Sequence, residues 1–211
     1  MKIRTLLILL LAFTFASLSW ASEADDILKK SGDRFQKFPH WSLKFSVELR
    51  MSGSNEVAGG YQGELLLGRG DHFRLSLPGQ VYSSDGITLW QYSQAQKQVM
   101  IKNLADLQGG MHPSEALFRY LKCKPISMTR ITADGIPVYA LKLDPAGQVK
   151  SFVSMEVWLR QSDETPVKIV TVDRTGTSTT YHISNLQKNS VTTDADFRFE
   201  TPKGVEEVDM R

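Results

Sequence analysis

The stretch WSLKFSVELRM, residues Trp41–Met51, decides the fold class. Every odd position is apolar: Trp41, Leu43, Phe45, Val47, Leu49 and Met51. Every even position is polar: Ser42, Lys44, Ser46, Glu48 and Arg50. Side chains alternate across a strand with a period of two, so this spacing predicts one long strand with a buried and a solvated face.

Strand signals continue after it. Ser52–Gly60 is turn material, Tyr61–Gly68 is a second strand, and a third carries Phe73, Leu75 and Leu77 on one face. Pro78-Gly79 turns the chain, and Asp85-Gly86 joins Gln80–Ser83 to Ile87–Tyr92 as a hairpin. Gln98–Lys102 fits a further strand, after which the rhythm breaks over Asn103–Gly110. Pro113 at a first helical position opens a helix over Ser114–Leu121, with Ala116, Leu117, Tyr120 and Leu121 as its apolar side.

Hairpins then resume, with Ile126–Thr132 and Val138–Leu143 around Asp134-Gly135. Val149–Arg160 is a long strand with Val153, Met155, Val157 and Leu159 in one phase. Val167–Val172 and Ser178–Leu186 close the series. Ahead of Trp41, Ser22-x-x-Asp25 resembles an N-cap, and Ile27, Leu28 and Phe35 share one side of the helix that follows. The pattern is mainly β, with about ten or eleven antiparallel strands and two helices.

Residues 1–21 read as a signal peptide: Lys2 and Arg4, the apolar run Leu6–Phe15, then Ser19-Trp20-Ala21. No cysteine stands near that site to be acylated. Residues 22–211 are then expected to form one soluble exported domain in the periplasm. Removing the leader leaves 23 basic against 23 acidic residues, so no basic field argues for nucleic acid. The lone Cys123 reads as a small buried hydrophobe.

His40, His72, His112 and His182 are scattered, and none has metal-ligand spacing. No nucleophile elbow, phosphate loop or dinucleotide fingerprint is present. A binding protein without metal or cofactor is expected rather than an enzyme. A sheet with so large an apolar face either packs on a second sheet as a sandwich or curls under helices and leaves a cavity. The pattern leaves both open. Arg69 shares the phase of Tyr61, Leu65 and Leu67. It is either a strand-end arginine with its head in water or a donor aimed at helix-end carbonyls.

Three pieces together resemble the family of periplasmic carriers of outer-membrane lipoproteins, the LolA type. They are Gly63-Glu64-Leu65 leading to Arg69 and Phe73-Arg74; Ser84-Asp85-Gly86 before Leu89-Trp90-x-Tyr92; and Phe197-x-Phe199-x-x-Pro202-x-Gly204-Val205. The resemblance implies an incomplete antiparallel β-barrel covered by a helical lid. It implies a monomeric chaperone that takes acylated lipoproteins from an inner-membrane ABC transporter to an outer-membrane acceptor. Arg69 matches the arginine that latches the lid, and Phe73 an aromatic at the cavity mouth. Leu43, Phe45, Val47, Leu49, Leu65, Leu67, Leu75, Met155 and Val157 are then the candidate acyl-binding residues. The family commonly has Pro after that arginine; here Gly70 stands. A related module that binds a lipid or glycolipid, or senses lipoproteins, is the alternative.

The phase of the first strand gives a direct test. Val47→Glu should prevent folding or ligand binding, whereas Ser46→Glu should shift stability by no more than about 0.5 kcal/mol. Equal tolerance in a thermal melt would mean that the phase is reversed.

Overall fold

The computed structural model describes residues 23–106, 112–145, 152–188 and 193–211. The leader and its cleavage site lie outside them. Helix α1 is described over residues 23–37. The strands are β1 (Trp41–Arg50), β2 (Gly59–Leu67), β3 (His72–Leu77), β4 (Gln80–Asp85), β5 (Thr88–Ser93) and β6 (Gln98–Asn103). Helix α2 (Pro113–Phe118) follows and runs into a 3-10 turn, Arg119–Lys122. Then come β7 (Lys124–Ala133), β8 (Ile136–Asp144), β9 (Phe152–Arg160), β10 (Pro166–Asp173), β11 (Ser178–Lys188) and, after a 3-10 turn at Asp194–Phe197, β12 (Glu206–Asp209).

All twelve strands form one sheet in the order β12-β6-β5-β4-β3-β2-β1-β11-β10-β9-β8-β7. Two meanders, β1 to β6 and β7 to β11, run outward in opposite directions from the antiparallel β1–β11 pair. Among the described residues β7 and β12, at the two ends of the order, do not pair with each other, so the barrel is incomplete. The strand count exceeds the expected ten or eleven because Glu206–Asp209 adds to β6, and it does so in parallel. Cross-strand partners share a face of the pleat. Val47 stands opposite both Tyr61 and Tyr181, and the row continues through Ile169, Val157 and Leu141. Val47 is buried and Ser46 exposed, as the alternation requires.

β6 and β7 stand near opposite ends of the sheet, and α2, between them in sequence, lies over its inner face. Leu117 is the buried anchor of α2, and Tyr120 follows in the 3-10 turn with no exposure. The helix is shorter than the expected Ser114–Leu121 because the chain tightens to 3-10 geometry after Phe118. α1 covers the rest of the face with Ala24, Ile27, Leu28 and Phe35, a spacing of three and four residues. It is tied by the Trp41 indole N–H to the Phe35 carbonyl (3.1 Å), by Arg34 to Glu164 (3.1 Å), and by Glu23 to Arg130. Ser31 and the Tyr120 hydroxyl lie 2.6 Å apart, joining α1 to the turn after α2.

Val153 departs from the expected phase. A register shift between Val172 and Asp173 opposite Phe152–Ser154 turns Val153 outward, where it is 56% exposed. Cys123 is buried as expected, its thiol 3.6 Å from the Arg119 carbonyl and 3.9 Å from the Met155 sulfur. The outer face of β2–β5 is covered by the C-terminal segment. Phe197 is fully buried there, its carbonyl accepts from Ser83 (2.6 Å), and Phe199 stacks on Tyr92 (5.3 Å).

Burial pushes the Tyr120 phenol far above its ordinary pKa, with the Ser31 bond opposing that only in part. The unfolded phenol ionises near pH 10 while the folded one stays protonated, so stability falls as pH rises above about 10. Tyr120→Phe should cost about 1–2 kcal/mol at neutral pH by stranding Ser31. The gap from the parent should narrow above pH 10. A constant gap in urea melts across pH 7–11 would contradict this.

Candidate functional site

An apolar cavity lies between the concave sheet and α2. Its walls are Leu43 and Phe45 on β1, Tyr61 and Leu65 on β2, Leu75 on β3, Ile169 on β10, and Tyr181 and Ile183 on β11. Pro113, Ala116 and Leu117 of α2 form the roof. Its volume is about 600 Å³, counting space open to solvent at its mouth. Gly63 shapes the floor. A Cβ there would stand 2.7 Å from the Ser76 carbonyl oxygen and 2.8 Å from the Phe45 ring, so glycine lets that ring lie across the strand.

Of the nine expected cavity residues, Leu43, Phe45, Leu65 and Leu75 line this space. Val47, Met155 and Val157 share the concave face but are packed into the core at 3% exposure or less. Leu49 is half-buried near the end of β1. Leu67 is buried and borders a second cleft, beside α1 and the β2–β3 turn. Ile169, Tyr181, Ile183 and the α2 residues were not anticipated. The non-sequential β1–β11 pairing brings the first three in, and no local signal announces it.

Phe73 is not at a mouth. It is 1% exposed and lines neither space, because the His112 ring covers it edge-on with centroids 4.8 Å apart. Arg69 borders the second cleft, but it is exposed, and its guanidinium makes no hydrogen bond among the described residues. The turn at Gly70 accounts for its outward position. Gly70 and Asp71 both have positive φ, 63° and 64°, and the His72 N–H reaches back to the Arg69 carbonyl (3.4 Å). Proline has φ near −65° and cannot occupy that conformation.

His112 and Asp71 meet where Arg69 was expected to latch. His112 is the N-cap of α2, its Nδ1 accepting from the Ser114 N–H at 3.3 Å. That bond places the proton of a neutral ring on Nε2. Nε2 is buried, without a hydrogen-bond partner among the described residues, and lies 3.9 Å from an Asp71 carboxylate oxygen. The imidazole thus packs on Phe73 of β3, caps the lid helix and faces the turn acid at once. Among the described residues no group of three or more His, Cys, Asp or Glu could hold a metal ion.

The architecture is one open twelve-stranded sheet with a short helix over an apolar space. The model of the outer membrane lipoprotein carrier protein LolA matches residues 46–200, and the chain belongs to that family. The fold is similar to that of an uncharacterized conserved protein from Thermus thermophilus. The identity there is 14% and the TM-score 0.58, over 89% of this chain and 99% of that one. It is also similar to LprF from Mycobacterium bovis, at 12% identity and TM-score 0.51, over 81% of this chain and 95% of that one. The lipoprotein LppX from Mycobacterium tuberculosis shares 10% identity at TM-score 0.50, over 80% of this chain and 96% of that one. These likenesses are of fold. No curated protein matches the chain.

Removing the His112 cap should loosen one end of the lid. His112→Ala should cost the helix about 1 kcal/mol and so speed amide exchange over Ser114–Phe118 roughly fivefold. Arg69→Leu should leave it unchanged. Faster exchange in Arg69→Leu with none in His112→Ala would show that the arginine makes the tie.

Proposed function

We propose that this chain is a periplasmic carrier that shields the acyl chains of lipoproteins, receiving them from an inner-membrane ABC transporter and passing them to an outer-membrane acceptor. The observation that carries the reading is the apolar cavity beneath α2, walled by five strands and opening to solvent. Membership of the LolA family supports the same cargo. The role is binding and transfer, without a reaction on the cargo. Among the described residues no helix is long and apolar enough to cross a membrane.

The energetics suit a transfer chain. Each buried methylene is worth about 0.8 kcal/mol, so a lipid-anchored cargo does not leave for water unaided. It moves only between sites of comparable affinity. A second reading, a carrier of free lipid, draws on the cavity's capacity. At about 30 Å³ per methylene, roughly the share of one water molecule, the 600 Å³, which counts space open to solvent, holds at most about 20 carbons, no more than one acyl chain. A lipoprotein with several chains requires α2 to move.

Solubilisation from vesicles tests the proposal. The purified chain, mixed with liposomes bearing a triacylated lipoprotein, should bring that lipoprotein into the supernatant after sedimentation. Leu75→Glu, which places a carboxylate in the wall, should reduce recovery at least tenfold while the thermal melt stays cooperative. Undiminished recovery with that variant would remove the cavity from the account.

A further inference from the structure

The cavity lining is mostly apolar but includes two tyrosines. Tyr61 and Tyr181 both line it. They stand on either side of Val47, opposite it on β2 and β11, so their Cα atoms are about 10 Å apart, two strand spacings. Tyr61 is 45% exposed and Tyr181 half-buried, so both lining side chains are partly open to solvent. Neither hydroxyl makes a hydrogen bond among the described residues.

Arg119, the residue after α2, follows closely in the chain on the roof residues Ala116 and Leu117. Its guanidinium lies over the Phe152 ring at 5.2 Å, and its charge acts on the Tyr181 phenol. Arg34, Arg50, Arg130, Arg160, Arg198 and Arg211 each pair with a carboxylate. Arg119 pairs with none among the described residues. Burial pushes both phenols above their ordinary pKa, and proximity to Tyr61 raises Tyr181 further, so both remain O–H donors at neutral pH.

Hydrocarbon alone needs none of these groups. Two phenol donors and an unpaired guanidinium beside an apolar space suit an amphiphile whose polar end only accepts hydrogen bonds and is negative. We propose that Tyr61, Tyr181 and Arg119 bind the anionic oxygen head of a single-chain acyl ligand, a carboxylate or a phosphate, whose alkyl chain fills the cavity. The inference rests on the second reading above, a carrier of free lipid in that cavity, and names the class of lipid.

Displacement of the neutral fluorophore N-phenyl-1-naphthylamine from the purified protein tests it, with all ligands below their micelle concentrations. Oleate and oleoyl-lysophosphatidylglycerol are the anionic arms; methyl oleate and monoolein are the neutral ones. At least one anionic ligand should displace the fluorophore at a tenfold lower concentration than either neutral ligand, and the better of the two identifies carboxylate or phosphate. The double variant Arg119→Gln, Tyr181→Phe should lose that preference, with anionic and neutral ligands displacing the fluorophore at similar concentrations; a thermal melt checks its fold. Equal potency of charged and neutral ligands in the parent, or a preference that survives in the double variant, overturns the headgroup site and leaves the acyl cavity standing. Failure of the fluorophore to bind, or of every ligand to displace it, overturns both.

Discussion

The β1–β11 pair is the contact on which the rest of the molecule depends. It joins residues Trp41–Arg50 to Ser178–Lys188, the two inner strands of meanders that are otherwise local hairpins. Once these strands pair, β6 and β7 are carried towards opposite ends of a twelve-stranded sheet. The chain between them includes α2, which lies over the inner face. The cavity is the space left beneath that six-residue helix.

That helix is lightly held. An isolated helix of this length is unstable in water, so α2 depends on what it touches. Leu117 is its one buried side chain among the described residues, and its two ends are fixed differently. One end runs into the turn where Tyr120 meets Ser31 of α1; the other is capped by His112 above Phe73 and Asp71. Local opening costs least where few apolar contacts hold an element. On the carrier proposal, a roof held this lightly opens at less cost than the hydrogen-bonded sheet beneath it.

Much of this was legible in the sequence. The alternation of Trp41–Met51 fixed the buried phase of β1, and Asp134-Gly135 marked a hairpin where both residues do have positive φ. Leu43, Phe45, Leu65 and Leu75 followed from phase alone, since β1, β2 and β3 are sequential neighbours. Tyr181 and Ile183 did not, because their contact with β1 spans more than 130 residues and nothing local encodes its register. Phe73 was misplaced because it is packed into the core cluster, with the His112 ring from the segment after β6 against it. Val153 was misphased by a register shift against β10. The tail motif around Phe197 and Phe199, which carried part of the family resemblance, serves the outer face of the sheet and not the cavity.

The central claim is that the space beneath α2 is occupied by acyl chains in the working protein. Native mass spectrometry of the chain, expressed with residues 1–21 and released from the cell envelope without detergent, measures that occupancy directly. The account predicts discrete adducts whose masses and fragments are those of acylated ligands, lost in Leu75→Glu. A bare polypeptide mass, both on release and after incubation with lipid vesicles, would contradict it.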